Sequence, residues 1–240
     1  MMERLDKLLS SRGIGSRKDA QKMIKSGAVT VNGAVCKKPD TKVDAAAAAI
    51  LVNGHAIGEE YVYIMLNKPA GVVSATEDKR DKTVLELLPQ ELRRKGLFPA
   101  GRLDKDTEGL LIITNDGDFA HRMLSPKKHV EKRYVASLDG EITEETIQHF
   151  EEGIVFSDGT KCLPAKLEIV ENSSNRTGIV TICEGKFHQV KKMFAVCGLH
   201  VVHLQRISVG NLYLDSNLPI GSCKILTKLD IERIFIGNIH

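Results

Sequence analysis

Gly101-Arg-Leu-Asp-Lys-Asp-Thr-Glu-Gly-Leu-Leu-Ile-Ile-Thr-Asn-Asp-Gly117 sets a charged turn directly against an apolar run. The apolar half, Leu110 to Ile113, is short, continuous and closed by an Asn115-Asp116-Gly117 turn signal, the pattern of a buried strand. The charged half gathers Arg102, Asp104, Asp106 and Glu108. A strand that must be buried draws its leading turn inward. Asp104 or Asp106 is therefore expected to be partly desolvated, with Arg102 near enough to favour the charged carboxylate. Shielded carboxylates beside a cation are where catalysis tends to sit. Spacing alone does not choose between the two aspartates. The same residues imitate the opening of a calcium loop, but the required bidentate Glu is replaced by Asn115 and the second half of the loop by the apolar strand. The calcium reading is rejected.

Downstream, Asp118 to Leu124 reads as a helix stopped near Pro126, and Glu131 to Ser137 as a strand with a basic start that carries Tyr134. Glu141 to Glu152 is an acidic amphipathic helix with Thr143 at its N-cap and Gly153 at its end. Ala165 to Val170 and Gly178 to Cys183 read as strands. From His188, the residues Val190, Met193, Phe194 and Cys197 recur at helical steps until Gly198. Gln189, Lys191 and Lys192 lie off that stripe near the helix start, where amides and cations make an anion site. Ile207 to Leu214 gives the last strands, and Lys228 to Ile234 a small terminal helix.

Upstream of the charged turn, Tyr61 to Leu66 reads as a strand that ends at Asn67-Lys68-Pro69-Ala-Gly71, a fixed turn. Thr83 to Leu88 is a short helix stopped at Pro89. The polar Gly58-Glu59-Glu60 is the expected linker, dividing the chain into residues 1–58 and 59–240. The first part holds Arg4 to Arg12 as a helix with Leu5, Leu8 and Leu9 on one face, then Ser16 as the N-cap of a helix from Arg17 to Ser26, stopped by Gly27. Two hairpin signals follow, at Asn32-Gly33 and Asn53-Gly54.

Charge divides unevenly between the parts. Residues 1–58 carry ten Lys and Arg against five Asp and Glu, and the other 182 carry 24 against 26. A basic module ahead of a near-neutral body suits a polyanion partner. Its candidate contacts are Arg4, Lys7, Arg17, Lys18, Lys22 and Lys25, most of them on a broad face of the second helix. The five cysteines form no Cys-x-x-Cys pair, which excludes the usual zinc spacings and a disulfide framework. The longest apolar run, Ala45 to Val52, is too short to span a bilayer, and the N-terminus lacks a signal core. A cytoplasmic protein with no membrane partner is expected.

Gly101-Arg-Leu-Asp-x-Asp-Thr-Glu-Gly-Leu-Leu111 resembles the signature of the RsuA-type pseudouridine synthases. Lys68-Pro-x-Gly71 resembles that family's first body motif, held to be structural. Lys132-x-Tyr134 and Gly185-x-x-His-Gln-Val-Lys191 resemble its later motifs. Arg4-Leu-Asp-Lys7, Gly15-Ser-Arg17, Ile24, Gly27 and Val29-x-Val31-Asn-Gly33 resemble an S4 domain, an RNA-binding module.

The resemblance implies isomerisation of a uridine in ribosomal RNA to pseudouridine, in the service of ribosome biogenesis and without metal or other cofactor. It makes Asp104 the catalytic residue and Lys191 its partner, a point contact where many relatives have Arg. Asp104 attacks C1′ or removes the C2′ proton; the sequence leaves both open. The uridine must leave its stack. Arg102 is the candidate for filling the vacated space and Tyr134 for stacking on the extruded uracil, with a further part in removing the C5 proton. Gln189 and Lys192 join Arg102 as substrate contacts. The wording Phe187-His-Gln-Val-Lys-Lys-Met193 is closer to enzymes of small-subunit RNA. The alternatives are a large-subunit enzyme and an inert S4-type assembly factor; a small-molecule enzyme would leave the basic module without a task. The expected fold is α+β: a small S4-like domain, then a mixed, mostly antiparallel sheet with helices packed on it. No heptad or apolar patch asks for a dimer, so a monomer is expected.

Overall fold

Leu5, Leu8 and Leu9, read above as one helix face, are all buried on α1 (Leu5–Ser11), in the first of two units, Met1–Val62, of the computed structural model. The structure describes residues 2–57, 61–94, 96–171 and 173–236, with main chain alone at His55 and Ala56. The expected linker, Gly58-Glu59-Glu60, lies outside the described residues.

Three such leucines removed from water contribute about 2 kcal/mol each, enough to fix α1 against α2 (Arg17–Ser26). Ser16 caps α2 as expected, and Asp19 closes a capping box on it. Gly27 ends the helix at φ 83°, the left-handed conformation that a glycine adopts without cost. Both Asn-Gly signals are hairpin turns with positive φ at each central residue. They join β2 (Val29–Val31) to β3 (Ala34–Val35), and β5 (Ile50–Val52) to β6 (His55–Ala56), in a sheet ordered β3-β2-β5-β6. A second small pairing joins β1 (Met2–Arg4) to β4 (Lys42–Asp44).

The second unit, Tyr63–His240, is organised on a nine-stranded sheet. Its strands are β7 (Tyr63–Lys68), β8 (Phe98–Pro99), β9 (Glu108–Thr114), β10 (Lys132–Leu138), β11 (Lys166–Ile169), β12 (Thr177–Ile182), β13 (Val201–Val209), β14 (Leu212–Tyr213) and β15 (Cys223–Ile225). The order is β11-β12-β10-β13-β9-β7-β15, with β14 beside β13 and β8 beside β9. Among the described strand pairs of this sheet only β9 and β13 are parallel. The expected α+β fold with a mostly antiparallel sheet is the one observed.

Residues 109 to 114 of β9 are buried without interruption, because the strand is covered on both faces. On one face Leu110 and Ile112 pack with Met65, Val209 and the helix α3 (Gly117–Leu124). The Asn115-Asp116-Gly117 signal is both the strand's end and the start of α3, since Asp116 caps that helix through the Phe119 amide. The other helices are α4 (Glu144–Glu152), α5 (Gln189–Val196) and α6 (Lys228–Arg233). Thr83 and Glu86 cap a tighter 3-10 turn at Val84–Leu87.

Two expectations need correction. The strand placed at Tyr61 to Leu66 runs from Tyr63 to Lys68, because its partner β9 sets its length and pairs Lys68 with Gly109. The last strands begin at Val201 rather than Ile207, and β15 adds a strand not foreseen. Arg206 is buried within β13 and interrupts the apolar alternation by which a strand is recognised.

Candidate active site

Asp104 lies in the loop that feeds β9, and that loop is fastened from behind by Lys68. The Lys68 side chain is fully buried, and its Nζ donates to the main-chain oxygens of Pro69 at 3.0 Å, Asp104 at 3.1 Å, Lys105 at 3.2 Å and Thr107 at 2.8 Å. Burial brings this ammonium down to about 8, against the opposing pull of the charges on Asp106, Asp104 and Glu108. The Gly71 amide donates to the Lys105 oxygen at 2.7 Å, so the Lys-Pro-x-Gly turn fastens the same loop by its main chain. Ser74 exchanges two hydrogen bonds with the main chain of Leu103, at 2.8 and 3.1 Å. Gly109 closes the loop at φ +99°, where an added Cβ would stand 2.3 Å from the Arg206 oxygen of β13. The close approach of two parallel strands thus requires the glycine that ends the motif.

With its main chain so held, Asp104 presents its carboxylate at 26% exposure to Lys191, 3.4 Å away, and to His188 Nε2 at 3.6 Å. Both neighbours stand at the start of α5. Lys191 is shared: its Nζ is 2.5 Å from Asp106, which is 73% exposed. That hydrogen bond holds the Asp106 carboxyl below the usual range, with the His188 imidazole a smaller contributor. The resemblance implied Lys191 as a partner of Asp104 alone; it bridges the two aspartates. Among the described residues no ion pair joins Arg102 to Asp104, so the cations beside the carboxylate come from α5 and not from its own turn.

Asp104 lines a pocket with Arg102, Thr107, Tyr134, His188 and Leu204. Tyr134 sits in the middle of β10, buried to 8%, between Val180 of β12 and Arg206 of β13. Gln189 also borders the pocket, but its amide is engaged: Nε2 donates to Glu184 at 2.7 Å and Oε1 accepts from the Lys186 amide at 2.9 Å. It braces the loop before α5. Lys192 lies elsewhere on α5, its Nζ 5.3 Å from the Phe187 ring centre and 5.4 Å from that of Phe156.

Sequence reasoning gave no part in the site to His188, Lys132 or Arg206. His188 adopts φ 54° and ψ 33°, a left-handed conformation rare outside glycine, which turns its ring toward Asp104. Lys132 shares the inward face of β10 with Tyr134, two residues on, and is buried to 5%. Burial, helped by nearby Arg206, pushes its ammonium down to about 8. Arg206 is buried to 4% and donates from Nε to the Leu110 oxygen at 2.8 Å. The period-two spacing of Lys132 and Tyr134 was a usable signal, since it placed both on one face.

In the first unit, Arg17, Lys18, Lys22 and Lys25 are exposed along α2 and Lys7 is half-buried on α1. Arg4 and Arg17 have an additional task. Both guanidinium groups surround the fully buried Asp6, Arg4 with paired 3.0 Å hydrogen bonds and Arg17 at 3.6 Å, while Gln21 donates at 2.8 Å. The Arg4 hydrogen bonds lead the effects that hold the Asp6 carboxyl down at about 2, against its own burial. Among the described residues no helix is long and apolar enough to cross a membrane.

Comparison with known proteins agrees with this anatomy. The family model for RNA pseudouridylate synthase matches residues 62–196, more than half of the chain, and that for the S4 domain matches residues 3–48. An uncharacterized RNA pseudouridine synthase of Bacillus subtilis (strain 168) is 48% identical, covering 96% of this chain and 98% of its own. Ribosomal large subunit pseudouridine synthase B of the same organism is 38% identical over 97% of this chain and 96% of its own. Ribosomal small subunit pseudouridine synthase A of Escherichia coli (strain K12) is 37% identical over 96% of this chain and 99% of its own. A crystal structure of a pseudouridylate synthase superposes with a TM-score of 0.69 at 36% identity, over 97% of this chain and 99% of that one. The motif around Asp104, the fold that carries it and these relatives together make the chain a member of the RNA pseudouridine synthase family, an isomerase of the RsuA type with an S4 domain.

Proposed function

We propose that the protein isomerises one uridine of small-subunit ribosomal RNA to pseudouridine, with Asp104 as the acting carboxylate. The observation that carries this reading is the setting of Asp104: a fastened main chain, 26% exposure in a pocket, Lys191 at 3.4 Å and His188 at 3.6 Å. Residues 59–240 supply the chemistry, and residues 1–58 hold the RNA through Arg4, Lys7, Arg17, Lys18, Lys22 and Lys25. Such contacts neutralise phosphates and position the enzyme without reading much sequence.

The reaction breaks the N1–C1′ bond, turns the uracil and joins C5 to C1′, with the C5 proton lost and N1 protonated. Asp104 attacks C1′ and displaces uracil, or takes the C2′ proton and leaves a glycal; each route frees the base to turn. Lys191, shared with Asp106, orients the Asp104 carboxylate. Tyr134 stacks on the extruded uracil and stands in position for the C5 proton. Arg102, exposed at the pocket, fills the space the uridine vacates. Gln189 serves the substrate by bracing the loop before α5, and Lys192 meets a phosphate.

The choice of the small subunit rests on the wording Phe187-His-Gln-Val-Lys-Lys-Met193. A large-subunit substrate is the second reading, because relatives named for the two subunits differ by only one percentage point in identity, 38% against 37%. The deciding assay maps pseudouridine in both ribosomal RNAs, as transcripts and as assembling particles, after treatment with the enzyme. Product at one small-subunit uridine is expected. Product confined to large-subunit RNA would move the assignment to the second reading.

A further inference from the structure

Phe187 is 72% exposed, among the most exposed of the large apolar side chains, yet it stands on a firmly held turn. The Gln189 amide donates to the Lys186 oxygen at 3.2 Å, and the Lys192 amide to the His188 oxygen at 2.9 Å. The Gln189 side chain accepts from the Lys186 amide at 2.9 Å. One side of the Phe187 ring stacks on His188, with centres 3.8 Å apart and planes 20° from parallel. The next contact inward is His188 Nε2 with Asp104 at 3.6 Å. A plate of two aromatic rings therefore runs from the Asp104 carboxylate to the outside of the pocket. The residue that carries its inner ring, His188, is held in a left-handed backbone conformation.

We propose that Phe187, backed by His188, is a stacking platform for the nucleotide next to the target uridine in the RNA chain. This rests on the reading that a uridine lodges beside Asp104. The neighbours of such a uridine are bonded to it and must cross the pocket rim, where this plate emerges. The charge there suits RNA: Lys192 stands 5.3 Å from the Phe187 ring centre, and Lys186 and Lys191 flank the same turn. An aromatic face beside cations fits a base and its phosphate and tolerates any base, since every base has a π-face. Phe187 thus selects an unstacked strand around the target and does not read its sequence.

The test compares wild type with Phe187→Ala and Phe187→Trp in steady-state kinetics on an RNA that the wild type modifies. A binding arm uses a short single-stranded RNA bearing one uridine with 2-aminopurine on either side. Base–aromatic stacking predicts a KM about 5- to 100-fold higher for Phe187→Ala, with kcat falling far less and Phe187→Trp restoring KM. At one of the two flanking positions, 2-aminopurine fluorescence is quenched by wild type and Phe187→Trp and not by Phe187→Ala. Unchanged KM and unchanged quenching in Phe187→Ala would overturn the platform. So would a fall in kcat at constant KM, which would make Phe187 a prop for His188. If the wild type forms no pseudouridine, the proposed function fails, and the quenching arm still decides the platform.

Discussion

The two units use the same electrostatic device with opposite sign. In the first, the buried ion is an anion: Asp6 gathers Arg4, Arg17 and Gln21 around itself and leaves the two half-exposed guanidinium groups at the surface. In the second, the ion buried behind the Asp104 loop is a cation: Lys68 gathers four main-chain oxygens, three of them from that loop, and leaves a carboxylate facing the pocket. At these two sites the buried charge fixes groups of the opposite character at the surface. A buried carboxylate yields a fixed basic surface suited to phosphates. A buried ammonium yields a fixed acidic group suited to chemistry on a sugar.

The largest effect on this comparison is expected at Lys68. Lys68→Met keeps an unbranched chain one atom shorter but releases the oxygens of Asp104, Lys105 and Thr107. A displacement of about 1 Å at a catalytic group costs about 100-fold in rate, so kcat should fall by about that factor. Unfolding in urea should show a loss of about 1–3 kcal/mol from the oxygens left without a donor. An unchanged kcat would mean that the loop holds its shape without this lysine.

Asp6 provides the matching break in the first unit, and pH sharpens it. Its carboxyl is held at about 2 against 3.8 in the unfolded chain, so the folded state prefers the ionised form. The resulting stabilisation, about 2 kcal/mol, is complete above pH 4 and is lost as the pH falls through about 2. Wild type should exceed Asp6→Asn in stability by about that amount at pH 7, and the gap should close toward pH 2. At Lys132 stability also rises with pH, but in an alkaline window and because the fold favours the neutral form. Its ammonium, near 8 in the fold and 10.5 outside it, makes the unfolded chain the better proton binder between those values. Wild type should therefore gain on Lys132→Met by about 3 kcal/mol as the pH rises from 8 to 10.5.

The smallest effects are expected on the exposed face of α2. Changing Lys18, Lys22 or Lys25 singly to Gln should weaken RNA binding modestly and lower the salt slope of log affinity by about one for each phosphate left without its cation. kcat at saturating RNA should be unaffected. An undiminished slope in all three would remove this face from the RNA interface.

Much of this arrangement was legible in the sequence. Patterns that depend on neighbours along the chain carried over directly: the Ser16 cap, both Asn-Gly turns, the buried run of β9 and the Val190-Met193-Phe194 stripe of α5. Matching motifs to a family brought together Asp104, Lys191, Tyr134 and Arg102, three of which line one pocket, with Lys191 reaching Asp104 from α5. Three of the misses share one cause. Lys68, Lys132 and Arg206 are cations in the interior, where composition places such residues on the surface, and Lys68 and Arg206 are held there by main-chain oxygens. The late start assigned to β13 follows from the same buried Arg206. His188 was hidden because its role depends on a left-handed backbone angle, which histidine adopts too seldom for the sequence to announce it.

The most direct test of the account is pseudouridine formation by wild type, Asp104→Asn and Asp106→Asn on the same ribosomal RNA, with RNA affinity measured in parallel. Asn is nearly the same size as Asp, so all three should bind RNA alike. The account predicts that Asp104→Asn loses at least about 1,000-fold in kcat, while Asp106→Asn, which removes only the outer partner of Lys191, loses about tenfold or less. Product from Asp104→Asn at close to the wild-type rate, with activity abolished in Asp106→Asn, would contradict it and move the chemistry to the exposed aspartate.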